Sequence, residues 1–244
     1  SAPRSASGSA APLPAIALGQ DARRNLNRTL QQAARDVAAA QSNETEWTIE
    51  NPKGSHAIAV GLDGPLDVTV AGSTGYYCAG MNKEATISVR GSAGPGVAEN
   101  MMSGTVVIEG DASQYAGATG RGGLLVVKGN AASRCGISMK GIDIVVHGNI
   151  GHMSAFMAQS GTLVVCGDAG DALGDSLYEA RLFVRGSVKS LGADCIEKEM
   201  RPEHLALLGD LLERAGSDAK PEDFKRYGSA RQLYTFNIDN ASSY

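Results

Sequence analysis

From Gly72 to Gly186 a glycine returns every 19 residues: Gly72, Gly91, Gly110, Gly129, Gly148, Gly167 and Gly186. Six equal steps without a slip mark a chain built from stacked, near-identical units, and a period of this kind restricts the fold before any local propensity is weighed. Twenty-six of the 31 glycines lie between Gly54 and Gly192, so glycine enrichment belongs to the repeat.

The residues ahead of each glycine complete the pattern. Four places before it stand Val68, Ile87, Val106, Leu125, Ile144, Leu163 and Leu182; two before it stand Val70, Val89, Ile108, Val127, Val146, Val165 and Val184. All fourteen are aliphatic, and the alternation with the residue between them is that of a strand with one buried face. A polar residue follows the glycine (Ser73, Ser92, Asp111, Asn130, Asn149, Asp168, Ser187), of the types that close Asx and hydroxyl turns. Small residues recur three and seven places on, as in Gly110, Ser113, Gly117 and Gly167, Gly170, Gly174.

A strand, a glycine corner and a return path every 19 residues describe one rung of a parallel β-helix. The fold class expected is an all-β core: a right-handed parallel β-helix of about seven rungs with flanking N- and C-terminal α-helices. Rungs stacked about 4.8 Å apart would make a rod of roughly 30 to 35 Å. The left-handed hexapeptide helix, with three sixes per coil, does not accommodate a step of 19. One column checks the register: Arg90, Glu109 and Lys128 alternate in sign on consecutive rungs, as favourable cross-strand neighbours do.

Three segments are expected. Residues 1–42 hold a flexible Ser/Ala/Pro-rich lead and a helix at 21–41 with Leu26, Leu30, Ala33 and Val37 on one face. Residues 43–198 form the β-helix. Residues 199–244 hold a second helix, bracketed by Pro202 and Gly216 and carrying Leu205, Leu208 and Leu212, then an extended stretch at 233–238. The ends of a β-helix are raw sheet edges, which terminal helices can cover.

The chain carries 22 basic and 26 acidic residues, a net charge of −4, which supports neither a nucleic-acid site nor a polybasic membrane patch. With no long apolar run and no recognisable signal peptide, a cytoplasmic protein is expected.

Candidate chemistry is sparse. Cys78 and Cys135 stand three rungs apart in one column, too far for a disulfide; Cys166 and Cys195 fall in other columns, and no CxxC occurs. The histidines (His56, His147, His152, His204) stand in no fixed relation to an acid that would suggest a relay or metal set. The glycine-rich passages at 91–100 and 116–123 resemble phosphate loops in composition alone, since a strand follows each too soon for a helix. No catalytic, cofactor-binding or metal residue is therefore assigned.

Two columns point to partners. Eleven places after the glycine stand Lys83, Met102, Arg121, Lys140, Gln159, Tyr178 and Glu197. Arg121 and Lys140 would be like-charged neighbours, unfavourable unless something anionic faces them. Three places before the glycine, an outward position becomes Val107, Val126, Val145, Val164 and Phe183. Such a stripe demands a cover, from the chain's own terminal segments or from another subunit.

The rungs resemble the GXGXG β-helix domain at the C-terminal end of glutamate synthase large subunits, which also occurs in formylmethanofuran dehydrogenase and formyltransferase/hydrolase complexes. The stretches GYYCAGMN (75–82), AENMMSGTV (98–106), AGATGRGGLLVV (116–127), SRCGISMKG (133–141), GHMSAFM (151–157), LGDSLYEARL (173–182), LGADC (191–195) and RYGSARQLY (226–234) are closer still to the stand-alone β-helix subunit of N-methyl-L-glutamate synthase. The resemblance implies a three-subunit enzyme that turns methylamine and L-glutamate into N-methyl-L-glutamate and ammonia. One partner would be a glutaminase-type amidotransferase. The other would be an FMN-binding synthase subunit, in which an iron–sulfur cluster is also conceivable. This chain would be the non-catalytic scaffold between them. A place in glutamate synthase proper, or in a formyl-handling complex, is the alternative.

Overall fold

The computed structural model describes residues 14–17 and 22–231. Eleven strands form one sheet in which the first nine follow one another in chain order and the eleventh lies between the ninth and the tenth. The repeat strands β3 (Asp67–Ala71), β4 (Thr86–Val89), β5 (Thr105–Ile108), β6 (Leu124–Val127), β7 (Lys140–Val146), β8 (Ser160–Val165) and β9 (Arg181–Val184) pair in parallel, each with its successor. Val68, Ile87, Val106, Leu125, Ile144, Leu163 and Leu182 lie opposite one another in a single file. The fold is thus a parallel β-solenoid of about seven turns. All fourteen repeat aliphatics are at most 1% exposed, and full burial of each contributes about 1.5 to 3 kcal/mol. A shorter parallel ladder, Thr74–Ala93–Ala112–Ala131–Ile150–Ala169–Val188, forms a second wall.

The repeat glycines stack, with Gly129 N–H donating to the Gly110 carbonyl at 2.9 Å and Gly148 to Gly129 at 2.9 Å. The reason they are glycine is space. The Asp111 side-chain oxygen accepts the Asn130 backbone N–H one rung on, Asn130 accepts from Asn149, Asn149 from Asp168 and Asp168 from Ser187, each at 2.8 Å. Ser73 and Ser92 do the same through their hydroxyls. A Cβ on Gly129 would fall on the Asp111 carboxylate and within 2.7 Å of the Gly110 oxygen. The polar residues expected to close local turns therefore bind rung to rung.

The corner after the second wall is built only in part from glycine. Positive φ falls five, seven and nine places past the repeat glycine on Tyr77, Ala79 and Met81, and again on Tyr115, Gly117 and Thr119, and on Met153, Ala155 and Met157. A non-glycine residue in this region costs about 1 to 2 kcal/mol. Pinning from both sides over-determines the conformation: Tyr77 N–H donates forward to Pro95, Ala79 back to Ile58 and Met81 forward to Glu99. Small residues alone are a poor guide to such a corner.

Helix α1 (Ala22–Ala38) buries Leu26, Leu30 and Ala34 in the same core cluster as Ile58 and Leu62. Asn27 clamps the first coil, donating to the Ala57 carbonyl and accepting the Val60 N–H, while Gln31 donates to the Val60 carbonyl. Part of the expected lead is strand, since β1 (Ala15–Ala17) pairs in parallel with β2 (Glu46–Glu50).

Helix α2 (Pro202–Arg214) forms between Pro202 and Gly216 as expected. It lies against the outward apolar stripe on the side of the rod. Beyond β9 the parallel order ends instead with β11 (Lys225–Ser229), antiparallel to both β9 and β10 (Cys195–Lys198). The extended stretch expected at 233–238 lies outside the described residues. Among those described, no helix is long and apolar enough to cross a membrane.

Candidate partner interface

The stripe and the basic column have different fates. Val126, Val145, Val164 and Phe183 are at most 2% exposed, in one cluster with Leu208, Leu211 and Leu212 of α2, Ala215 and Phe224; Val107 packs at its margin, partly buried. His147 Nε2 lies 2.9 Å from the Ala215 carbonyl and so ties the helix C-terminus to the rod. The chain covers its own stripe. Val126, Val145, Val164 and Phe183 are therefore not available to a partner, and of the two covers open to the sequence the terminal segment is the one used. Helical leucines outcompete an external surface here because they are tethered: docking them carries no translational entropy loss.

The column eleven places past the glycine stays open. From Lys83 to Tyr178 the residue before each member is buried, Met101 and Met139 fully so. Arg121 N–H donates to the Met101 carbonyl and Lys140 N–H to Gly120, both at 2.7 Å, and the same ladder carries Met102, Gln159 and Tyr178. Their side chains thus project from a rigid support about one strand spacing apart. Lys83 finds Asp63 at 3.7 Å. Arg121 and Lys140, exposed on adjacent rungs, make no ion pair among the described residues. Met102 is 47% exposed and Tyr178 39%; two positions earlier on their own rungs Met81 and Met157 are each 41% exposed. Methionine adapts to irregular surfaces, and exposed apolar side chains around unpaired cations have the composition of a docking face. A depression of about 340 Å³ opens between Met157, Gln159, Tyr178 and Glu179.

Several of the remaining sequence candidates have structural partners. Glu109 and Lys128 pair at 3.6 Å. His56 stacks on Tyr76 with ring centroids 3.8 Å apart and accepts the Tyr76 N–H. His204 Nδ1 accepts the Arg201 N–H at the start of α2. All four cysteines are buried thiols; burial pushes Cys78 and Cys135 up to about 12 and Cys195 up to about 11, which leaves them protonated and poor nucleophiles at neutral pH. Among the described residues no three His, Cys, Asp or Glu side chains group as metal ligands would. What the sequence did not announce is a basic pocket at the C-terminal end of the rod, lined by Arg181, Lys198, Arg226 and Arg231.

Fold and face together define a rigid parallel β-solenoid, sealed on one flank by its own helix and open on another. No protein-family model matches the chain. Over 233 residues, 95% of this chain, it is 72% identical to the full length of Protein GlxC from Rhizobium meliloti (strain 1021). The chain belongs to the GlxC family.

Proposed function

We propose that this chain is the β-helix subunit of a glutamate-synthase-like complex, and specifically of an N-methyl-L-glutamate synthase. In this reading it is a non-catalytic scaffold. It holds a glutaminase-type amidotransferase subunit and an FMN-binding synthase subunit in fixed relation while they convert methylamine and L-glutamate to N-methyl-L-glutamate and ammonia. The observation that carries the scaffold role is the open face: Arg121 and Lys140, without an ion pair among the described residues, stand on adjacent rungs among exposed Met81, Met102, Met157 and Tyr178. Its like charges become favourable once an acidic partner surface covers them. The kinship with GlxC and the long sequence motifs support the enzyme class.

Affinity purification of the tagged full chain from its own cells at low ionic strength, with mass spectrometry of the eluate, tests this. An amidotransferase and a flavoprotein should co-elute, and the Arg121→Glu/Lys140→Glu double variant should retain far less of at least one. The purified complex should release ammonia from methylamine plus L-glutamate. Recovery of formyl-transfer subunits, or of the chain alone, would overturn the assignment.

A further inference from the structure

The C-terminal ribbon places like charges where strand register normally avoids them. In the β10–β11 pair Lys198 lies directly opposite Arg226, and in the β11–β9 pair Arg226 lies opposite Phe183. Side-chain alternation puts Arg181, two residues from Phe183, on that same outward face and diagonal to Arg226. Like charges directly opposed destabilise a sheet. Acids are close by, yet they serve the rim: Arg201 pairs with Glu199, Lys225 with Glu197 and Arg231 with Asp194. Among the described residues, Arg181, Lys198 and Arg226 make no ion pair.

These three side chains and Arg231 line one cavity of about 230 Å³, in which Glu179 is the single carboxylate. Its floor is open because Gly228 carries no side chain; a Cβ there would meet the Lys198 stem at 3.2 Å. Arg226 is oriented by its Nε–H, which donates to the Glu199 carbonyl at 2.8 Å, so its terminal nitrogens remain for an incoming oxygen. Burial first, and then the neighbouring Arg201 and Arg181, lower the basicity of Arg226.

We propose that this pocket is a binding site for a small dianionic oxyanion, of phosphate or dicarboxylate type. Three unpaired cations against one carboxylate leave two positive charges for the ligand to neutralise. The volume lies below the roughly 300 to 1,000 Å³ of sites for drug-sized ligands, which favours a compact anion over a nucleotide. Guanidinium groups supply the forked donors that phosphate and carboxylate oxygens accept. The site stands on geometry at the end of the rod and is independent of the proposed enzyme.

Calorimetric titration of the full chain with inorganic phosphate, and separately with succinate, in a low-salt buffer of neither anion tests it. At least one probe should bind in 1:1 ratio with Kd below about 1 mM, and the tighter of the two names the source. Lys198→Gln and Arg226→Gln should each weaken binding about tenfold or more, about 1.4 kcal/mol, while Lys53→Gln, far from the pocket, should not. Because Lys198→Gln removes a like-charge contact and leaves the Arg226–Glu199 bond in place, its ligand-free melting temperature should equal or exceed that of the wild type, which separates lost binding from misfolding. No saturable heat with either probe up to about 10 mM, or equal binding by the Gln variants, would overturn the proposal.

Discussion

Replacing Gly129 by alanine tests the rung-to-rung ladder most directly. The added methyl would occupy the place of the Asp111 carboxylate oxygen and press on the Gly110 carbonyl, which is backbone and cannot turn aside. Overpacking of this kind costs about 1 to 3 kcal/mol. Asp111 must also rotate away, losing its 2.8 Å bond from the Asn130 N–H, and a hydrogen bond to a charged group contributes about 1.5 to 3 kcal/mol. The ladder is exposed, so water recovers part of the second quantity, and about 3 to 4 kcal/mol is the expected sum. Asp111→Ala alone should cost about 1 to 2 kcal/mol. In that background Gly129→Ala should cost less, because the carboxylate is gone and only the Gly110 clash remains; the coupling should reach about 1 to 2 kcal/mol. Urea unfolding of the four proteins supplies the numbers, and hydrogen exchange should show the loss of protection centred on Gly129 and Asn130, since each coil contacts only its neighbours. A cost under about 1 kcal/mol for Gly129→Ala, or strict additivity with Asp111→Ala, would refute the steric account of the repeat glycine.

Val145→Asp should place an unpaired carboxylate beneath α2, with a penalty of several kcal/mol. Faster amide exchange throughout Pro202–Arg214 is the expected signature, and an unchanged helix would show that α2 does not depend on the stripe. Ala172→Gly, at φ +55, relieves left-handed strain of about 1 to 2 kcal/mol while adding about 0.4 to 1 kcal/mol of unfolded-state entropy. Its melting temperature should therefore rise by a degree or two, where most substitutions lower it. Asp143 has its carboxyl raised above the usual range by burial, against the opposing effects of Thr162, Arg214 and Arg181. A raised folded pKa means stability is fully present below the unfolded value and lost as pH rises through the folded one. Asp143→Asn should therefore gain on the wild type at neutral pH, with the difference vanishing toward pH 3 in thermal melts.

The parts of this structure legible in the sequence are those that obey the 19-residue period. A column of aliphatics two and four places before each glycine could hardly form anything but stacked strands, and Pro202 and Gly216 marked the ends of α2 in the ordinary way. The cover of the stripe was not legible, because Val126 and Leu208 are brought together by a helix that lies outside the repeat. The left-handed corner was hidden for a different reason. Tyr77, Met81 and Arg134 carry none of the small-residue signal of positive φ, and their conformation is imposed by hydrogen bonds from the coils above and below. The basic pocket arises from β11, whose return beside β9 is antiparallel and whose sequence KRYGS shows no repeat register.

In a solenoid the inward columns are consumed by stacking, so whatever distinguishes one such protein from another must lie on its outward columns and its ends. Here several outward columns are already engaged by the chain: the stripe by α2, the Asx ladder by its own backbone, Arg185 by the Cys166 carbonyl. The column of Met102, Arg121, Lys140 and Tyr178 is not so engaged, and it leads toward the end of the rod. Tyr178 and Glu179 line both the depression beside Met157 and the pocket that holds Arg181, Lys198 and Arg226, and Arg231 lies 5.8 Å from the centre of the Tyr178 ring. Open face and cationic pocket therefore share a wall. An anion that draws Arg231 inward would shift Tyr178, and a partner seated on Tyr178 would in turn limit access to the pocket, so occupancy of the two should be coupled with equal strength in both directions.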